Sequence, residues 1–238
     1  MSPSPLSPAQ PAPLVEWTGQ LFLLPAWKTL PLVHATSSRA LSFDALLARW
    51  HLKQADVVWA EQVHGAGISN ASSDDRGRER AACDALVTQA VGLPLAIRSA
   101  DCSPVLFYDP DHAAVGIAHV GWRGLAADLP TLMVKYFHTA FHADAAHLLV
   151  GLGPTIRSCC YEVQADVSKL VRDDCEFRDA RTYLDVPRGI LRRLERAGVK
   201  AAHISDGAIC TACHADRCYS VRREGASTGR LLSLLMLK

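Results

Sequence analysis

Cys102 and His119 stand near the two ends of the segment ADCSPVLFYDPDHAAVGIAHVGWRG, and mostly apolar residues separate them. An apolar segment needs neither a thiol nor an imidazole to fold, so we expect both side chains to converge on a ligand. Thiolate sulfur and imidazole nitrogen are good donors for zinc. His64, in the segment EQVHG, is a third donor, and the glycine after it lets the backbone approach closely. Three such donors leave the fourth tetrahedral position open, which is typical of catalytic zinc.

The same three residues are compatible with two other interpretations. Cys102 could attack a carbonyl group as a nucleophile, with His119 or His64 as the general base, as in a cysteine hydrolase. Alternatively, Cys102 is a small buried hydrophobic residue and His64 is an ordinary loop histidine. The sequence alone leaves all three interpretations open, and the metal site is the hypothesis that the structure can test by proximity.

A second cysteine-rich segment, CTACHADRC, begins like a zinc knuckle, although no second CxxC motif follows it. Its donors are Cys210, Cys213, His214 and Cys218. A structural zinc at these residues is a hypothesis that competes with the first metal site. Cys159 and Cys160 are adjacent, and strain argues against a disulfide between neighbours, so we expect them to be core or loop thiols.

The composition, with 49% hydrophobic and 21% charged residues, is typical of a soluble globular protein. A net charge of +1 gives no field to recruit nucleic acid or an anionic membrane, so we predict a small-molecule partner. No apolar stretch is long enough to span a bilayer, and the N-terminus lacks the basic and apolar regions of a signal peptide. Eight cysteines then indicate a reducing compartment, and we predict a cytoplasmic protein.

The donors must be positioned by a mixture of strands and helices. Residues 1–13, rich in Pro and Ser, predict a flexible leader before a single domain over residues 14–238. Ser42 before an apolar stripe predicts a short helix. Strands are predicted over residues 56–65, 84–88, 94–100, 105–109 and 113–120, and for the segments HLLVGLG and GRLLSLLMLK. Further helices are predicted over residues 125–136, from Tyr161, and over residues 186–197. The absence of a regular βαβ repeat favours mixed sheets covered by helices.

Several motifs occur together in an order that is specific in combination. They are QVHG (62–65), DALVT (84–88), ADCSPVLFYDP (100–110), HVGWRG (119–124), CCYEV (159–163), CTAC (210–213) and YSVRREGASTGR (219–230). With these motifs the chain resembles the multicopper polyphenol oxidase, or laccase-domain, family, whose members are regarded as purine nucleoside phosphorylases. The resemblance covers most of the chain, from about Gln62 to Arg230.

The resemblance implies a single α/β domain, a layered α-β-β-α sandwich with mixed sheets. It also implies a zinc site at His64, Cys102 and His119, and phosphorolysis of adenosine, inosine, guanosine and methylthioadenosine, with adenosine deamination as a second activity. Older family descriptions imply copper-dependent phenol oxidation instead, and some relatives are linked to editing of peptidoglycan precursors. Three methionines and no HxH pairs argue against a multicopper site. A non-catalytic metal-binding module is a further alternative.

Phosphorolysis requires cationic groups that hold phosphate beside the anomeric carbon. We expect Arg123 to bind phosphate, because it lies between two glycines and four residues after His119. Arg157 precedes a predicted helix, whose N-terminal amides favour anions. Arg222 and Arg223 are further candidates. Trp122 is expected to stack on the purine, although a core tryptophan is the alternative.

Deamination requires a carboxylate that moves a proton. Asp101 and Glu162 are the carboxylates that we would assign to this role. Asp101 could instead orient a ligand histidine, or point away from Cys102 as a strand neighbour does.

The N-terminal third departs from the family pattern. Relatives carry a TR-x-GG-x-S segment, whereas TSSRALS at residues 36–42 lacks both glycines and its arginine, Arg39, is displaced. The family's arginine is a plausible anion contact. We therefore expect altered phosphate binding at this point and altered substrate choice.

Overall fold

The computed structural model describes residues 16–238, so the predicted leader at residues 1–13 lies outside the described residues. The strands are β1 Glu16–Trp17, β2 Leu21–Leu23, β3 Leu32–Ser37, β4 Val58–Ala60, β5 Ile68–Asn70, β6 Glu79–Arg80, β7 Ala85–Thr88, β8 Leu95–Ser99, β9 Ser103–Asp109, β10 Ala114–Val120, β11 Leu149–Leu152, β12 Cys175–Arg178, β13 Arg181–Leu184, β14 Ile204–Asp206 and β15 Leu231–Leu237. The α-helices are α1 Phe43–Ala48, α2 Trp122–Ala126, α3 Leu129–Phe141, α4 Ala165–Ser168, α5 Val186–Arg196 and α6 Val221–Glu224.

The strands form two large sheets and one small hairpin. The first sheet has the order β1-β2-β3-β15-β8-β4-β6, the second has the order β14-β11-β9-β10-β7-β5, and β12 pairs with β13. In the first sheet β15 is antiparallel to β3 and β8, whereas β4 is parallel to β6 and β8. In the second sheet β10 is antiparallel to β9 and β7, whereas β14 is parallel to β11. Both sheets are therefore mixed, as predicted.

Alternating side chains of the second sheet divide the interior into separate layers. Phe107 of β9 packs against helices α3 and α5 through Met133 and Ile190, whereas the next residue, Leu106, faces the first sheet. On the outer face of the first sheet, Leu46 of α1 packs against residues of β4 and β8. The order of layers is helix, sheet, sheet, helix. The predicted α-β-β-α sandwich in a single domain is confirmed.

Local sequence signals account for some elements and not for others. Ser42 caps α1, and its hydroxyl accepts a hydrogen bond of 3.2 Å from the backbone N–H of Ala45. The helix predicted from Tyr161 is wrong, because this segment runs beside β13. The backbone N–H of Val163 donates to the carbonyl oxygen of Thr182, and that of Leu184 donates to Tyr161, both at 2.9 Å. The neighbouring strand thus takes up the hydrogen-bonding groups that a helix would have paired internally.

In the part of the chain that the structure describes, no helix combines the length and the apolar character needed to cross a bilayer.

Candidate active site

His64, Cys102 and His119 lie at the ends of three strands, and the structure brings them together. His64 follows β4, Cys102 lies in the turn between β8 and β9, and His119 is near the end of β10. One donor atom from each residue lies within 4.8 Å of the other two, and the two imidazole ring centroids are 4.9 Å apart. The proximity that the metal hypothesis requires is therefore present.

The register of β9 and β10 explains how Cys102 reaches His119. His119 pairs with Pro104 and Val120 with Ser103, so Gly121 lies opposite Cys102 just beyond the paired residues. A Cβ atom on Gly121 would lie 2.6 Å from the Cys102 sulfur, which is too close for any real side chain. The glycine before Trp122 therefore makes room for the thiol.

Asp84 contacts the side chain of His119 and the backbone of His64. Its side chain is fully buried, and its Oδ1 lies 2.9 Å from Nδ1 of His119. The backbone N–H groups of His64 and Gly65 donate to Oδ1 and Oδ2 of Asp84 at 3.0 and 2.6 Å. These two bonds fix the left-handed backbone of His64, whose φ is 60°. The Asp84 contact fixes the imidazole tautomer and leaves Nε2 of His119 as its donor atom.

Sequence reasoning missed Asp84, although it stands in the quoted motif DALVT. An aspartate directly before a wholly apolar strand was the available signal, because a buried carboxylate requires partners. The aligning role that we considered for Asp101 is filled by Asp84 instead.

The charges of Cys102 and His119 support each other. Burial raises the pKa of the Cys102 thiol, but the charge and hydrogen bond of His119 and the hydrogen bond of His64 outweigh it, and the net pKa is lowered. Burial lowers the pKa of His119, but Cys102 and Asp84 outweigh it, and the net pKa is raised. Both directions favour a thiolate at Cys102, which is the form that binds metals and attacks electrophiles.

Two recesses meet at the three donors. The larger cavity, of about 360 Å³, is also lined by Asp101, Trp122, Arg123, Tyr161 and Arg222. The smaller one, of about 220 Å³, is also lined by Glu61, Arg98, Ser99 and Arg230. A metal held by the three donors would thus have an approach for substrate.

The larger cavity is lined by two arginines, Arg123 and Arg222. The guanidinium of Arg123 lies 4.2 Å from the ring centroid of Trp122, and that of Arg222 lies 5.0 Å from the ring centroid of Tyr161. Within residues 16–238, neither arginine forms an ion pair. Arg123 and Trp122 line the cavity, and their contact with a ligand stays a prediction. Tyr161 is an additional wall residue that sequence reasoning did not assign.

Asp101 lines the same cavity, and both of its carboxylate oxygens accept hydrogen bonds. Its backbone has φ of 86°, in the left-handed region. Oδ1 accepts a hydrogen bond of 2.6 Å from the hydroxyl of Thr211, and Oδ2 accepts one of 2.7 Å from the backbone N–H of Arg222. Asp101 lies in a turn rather than a strand, so its side chain does not point away from Cys102 as strand alternation would require. Its proton-transfer role stays a prediction.

Arg157 and Arg39 lie elsewhere. Arg157 is paired with Asp206 and does not line the larger cavity. A phosphate contact of Arg157 therefore stays a prediction. Arg39 pairs with Glu224 at 2.7 Å and lies 4.9 Å from the ring centroid of Tyr219. The displaced arginine of the TSSRALS segment thus joins two parts of the fold and lines neither recess.

Glu162 and Arg223 are also engaged away from the cavity. Glu162 pairs with Arg181 at 3.4 Å. Arg223 donates to the carbonyl oxygens of Thr211 and Ala212, both at 2.8 Å. Arg223 therefore supports the turn of the CTAC motif rather than a ligand.

A second cluster lies in two turns beside the cavity. Its sulfur atoms lie within 4.8 Å of one another and belong to Cys159, Cys160, Cys210 and Cys213. We call it the four-cysteine cluster. Burial raises the pKa of the Cys210 thiol, but hydrogen bonds from the backbone N–H groups of Cys213 and Arg157 outweigh it, and the net pKa is lowered.

The four-cysteine cluster corrects the expected composition of a knuckle. His214 lies outside it, with Nδ1 2.9 Å from the carbonyl oxygen of Cys210. Cys218 is buried between the two sheets. Cys159 is exposed and Cys160 is half-buried, so neither is a core thiol. The parallel bridge between Thr155 and Cys210 brings the two turns side by side.

Comparisons with known proteins identify the family of this chain. A family described as multi-copper polyphenol oxidoreductase laccase matches residues 39–238. The chain belongs to this laccase family. Family membership and fold are thus established together with a site that could hold a metal.

Two relatives of this laccase-family chain carry enzyme names. It is 33% identical over 205 residues to the purine nucleoside phosphorylase YlmD of Geobacillus stearothermophilus, covering 79% of this chain and 72% of that relative. It is 35% identical over 207 residues to the purine nucleoside phosphorylase SCO2081 of Streptomyces coelicolor, covering 85% and 82%. The crystal structure of YlmD from Geobacillus stearothermophilus matches with a TM-score of 0.87 and 26% identity, over 96% of this chain and 100% of that chain.

Proposed function

We propose that this protein is a zinc-dependent purine nucleoside phosphorylase that acts on adenosine, inosine, guanosine and methylthioadenosine. The observation that carries the proposal is the donor set His64, Cys102 and His119, backed by Asp84 and facing a cavity with unpaired arginines. The names of two relatives at 33% and 35% identity support the same activity.

The donor set fits zinc. Two imidazole nitrogens and one thiolate are a known ligand type for catalytic zinc, and the two recesses beside the donors would give substrate access to a bound ion. When bound, zinc supplies Lewis acidity at the donor set. Copper also accepts these donors. However, Met133 and Met236 lie in the hydrophobic cores, so neither adds the thioether ligand frequent in copper sites.

The cavity residues supply binding and orientation. In phosphorolysis a phosphate oxygen forms a bond to the anomeric carbon, while the bond to the purine nitrogen breaks and its electron pair leaves with the base. We assign phosphate to Arg123 and Arg222, because their charges are unpaired within residues 16–238 and oriented guanidinium groups bind phosphate oxygens. The purine is assigned to the aromatic walls formed by Trp122 and Tyr161.

Tyr161 is placed to assist the departing base. Burial, with the negative charges of Cys102 and Asp101, raises the pKa of Tyr161 to about 12. Its hydroxyl therefore stays protonated at neutral pH and donates a hydrogen bond to the purine nitrogen that receives the electron pair. This hydrogen bond grows stronger as negative charge develops on the base.

Adenosine deamination is the second activity in the proposal. Water replaces the exocyclic amine at C6 of adenine, and a carboxylate must carry a proton from the water to the leaving amine. We assign this proton transfer to Asp101, whose oxygens keep free lone pairs beside the bonds from Thr211 and Arg222. The proposed partners are small molecules in the cytoplasm, with neither nucleic acid nor membrane involved.

The direct experiment is to incubate the zinc-loaded protein with inosine and phosphate and to separate the products by chromatography. Hypoxanthine and ribose 1-phosphate in equal amounts are expected, and both should be absent with Cys102→Ala. Cys175→Ala, which alters a buried cysteine of the helical layer, is the matched control and should keep the activity. Hypoxanthine released without phosphate, or unchanged activity in Cys102→Ala, would contradict the proposal.

A cysteine hydrolase is the second candidate, and one observation favours it. Asp84 accepts a hydrogen bond from Nδ1 of His119, and His119 is hydrogen-bonded to Cys102, so that carboxylate, imidazole and thiol stand in the order used by cysteine nucleophiles. This candidate predicts that the metal-free protein stays active and that alkylation of Cys102 abolishes activity. His64 at the same sulfur argues for the metal, because a hydrolase needs only one imidazole base.

A further inference from the structure

Four cysteines from two turns meet beside the candidate active site, and none of them is in a disulfide. We propose that Cys159, Cys160, Cys210 and Cys213 bind a second zinc ion as four thiolates, and that this ion fixes one wall of the larger cavity. The site shares no residue with the donor set His64, Cys102 and His119.

The sulfur positions match a tetrahedral thiolate site. Zinc–sulfur bonds of about 2.3 Å place the sulfur atoms of a tetrahedron roughly 3.8 Å apart. The Cys213 sulfur lies 3.3 Å from that of Cys160 and 3.6 Å from that of Cys159, and no pair in the cluster exceeds 4.8 Å. The two short distances and the upper bound of 4.8 Å thus bracket the separation that a tetrahedral thiolate site requires.

A disulfide explains less of this arrangement. One disulfide joins two sulfur atoms at about 2.05 Å and leaves the other two without a reason to be close. Packing does not supply that reason either, because Cys159 and Cys213 are exposed. Four thiols that converge from a buried position, a half-buried one and two exposed ones indicate a soft metal, because burial alone does not account for the two exposed sulfur atoms.

The surroundings of the cluster suit a site with excess negative charge. Four thiolates around a divalent ion carry a net charge of about −2, which requires nearby hydrogen-bond donors and cations. The backbone N–H groups of Arg157 and Cys213 point at the Cys210 sulfur. The guanidinium of Arg178 donates to the carbonyl oxygen of Ser158, and that of Arg223 donates to Ala212. Both arginines thus lie beside cysteines of the cluster.

The cluster is joined to the active site through single residues. Tyr161, which lines the larger cavity, follows Cys160 directly. Thr211 lies within the CTAC motif and donates to Asp101, which precedes Cys102. A metal that holds both turns would therefore fix Tyr161 and Asp101 without touching the substrate. The consequence for activity rests on the proposed function, whereas metal binding does not.

Metal analysis of purified variants tests the site. Full-length protein is prepared under reducing conditions with zinc supplied, and the zinc content is measured by mass spectrometry. We expect two zinc ions per chain in the parent protein, one in Cys102→Ala, one in Cys213→Ser and none in the double variant. Cys159→Ser, a change at an exposed position, should also bind one ion and serves if Cys213→Ser does not fold.

Cobalt substitution reports the ligands directly. Cobalt bound to Cys102→Ala should give the intense sulfur-to-metal charge-transfer bands of four thiolates, and Cys213→Ser should weaken them. Cys218→Ala is the matched control, because this buried cysteine lies outside the cluster, and it should keep the bands.

Three results would overturn the proposal. The first is that Cys102→Ala binds no zinc. The second is that Cys218→Ala loses zinc whereas Cys213→Ser keeps it. The third is that peptide mapping detects a Cys160–Cys213 disulfide in protein purified under reducing conditions. If zinc does not bind at His64, Cys102 and His119 but does bind at the four-cysteine cluster, the parent protein binds one zinc ion and Cys102→Ala retains it. This result separates failure of the proposed function from failure of the second zinc site.

Discussion

The two sulfur-containing clusters lie close together and differ in what surrounds them. His64, Cys102 and His119 supply three donors at the meeting point of two recesses. The four-cysteine cluster supplies four donors from two surface turns. A set of three leaves a metal position for chemistry, whereas a set of four closes it. The number of donors, more than their identity, separates the proposed catalyst from the proposed structural site.

The clusters also differ in how their donors are held. A fully buried carboxylate, Asp84, orients the imidazole of His119 and accepts hydrogen bonds from the backbone N–H groups of His64 and Gly65. The second cluster is surrounded by backbone N–H groups and by the guanidinium groups of Arg178 and Arg223. These groups would compensate the negative charge of the thiolates. Under the two proposals, the first arrangement would tune reactivity and the second would strengthen metal binding. The predictions below test this contrast.

Cys102→Ala should have the largest effect on activity and little effect on folding. The change removes one donor and the charge that favours metal binding, and metal-supplied stabilisation of several kcal/mol is lost. A loss of about 4 kcal/mol corresponds to a decrease in kcat/KM of roughly 10³-fold. Steady-state phosphorolysis measures it, with circular dichroism as the control for folding. Activity within tenfold of the parent protein would remove Cys102 from the proposed catalyst.

Gly121→Ala should weaken the first site without altering the four-cysteine cluster. The new Cβ would lie 2.6 Å from the Cys102 sulfur and would displace it. Overpacking of about 1–3 kcal/mol corresponds to roughly 10- to 100-fold weaker zinc binding. Gly124→Ala is the matched control, since its Cβ would meet no atom closer than 3.6 Å. Competition with a chromophoric chelator measures both, and equal zinc affinities would contradict the packing argument.

Asp84→Asn should lower the zinc affinity of the first site by roughly 10- to 100-fold, because His119 loses the negatively charged partner at its Nδ1. Asp109→Asn provides the comparison, since Asp109 is equally buried and contacts His112 at 2.7 Å, away from the site. Both variants are expected to lose stability, but only Asp84→Asn should lose zinc at a given chelator concentration. Similar zinc retention in the two would show that Asp84 acts only in folding.

The sequence predicted features that arise from local patterns. The Ser42 cap and apolar stripe identified α1, and short apolar runs identified β9 and β10. The positions of His64, Cys102 and His119 at strand ends followed from those strands. Contacts that depend on sheet register were missed. Asp84 and His119 are 35 residues apart, and Cys159 and Cys213 are 54 apart, so no local pattern joins them.

The loop before Tyr161 shows the same limit in a different way. The sequence predicts a helix from Tyr161, whereas pairing with β13 supplies the backbone hydrogen bonds instead. That extended path carries Cys159 and Cys160 towards the CTAC turn and places Tyr161 at the cavity. One tertiary pairing thus decided the composition of the second cluster and a wall of the first site.

Arg222→Gln should raise the KM for phosphate by roughly tenfold and change kcat less. A hydrogen bond to a charged group contributes about 1.5 kcal/mol, which corresponds to this factor. Arg181→Gln, at an exposed pair with Glu162, is the control and should leave the KM unchanged. Initial rates over a range of phosphate concentrations give both constants. An unchanged phosphate KM with a raised inosine KM would reassign Arg222 to the nucleoside.

Thr211→Val should have the smallest effect and tests the link between the clusters. Thr211 is fully buried, and its hydroxyl donates to Asp101 at 2.6 Å, so valine keeps the volume and removes that bond. If the four-cysteine cluster supports the cavity through this contact, kcat/KM should fall roughly two- to fivefold, from about 0.5–1 kcal/mol of coupling. Both zinc ions should remain bound, because no donor is changed. Thr139→Val, at an exposed helical threonine, should leave kcat/KM unaltered. Loss of zinc from either cluster in Thr211→Val would instead mean that the hydrogen bond holds the ligands themselves in place.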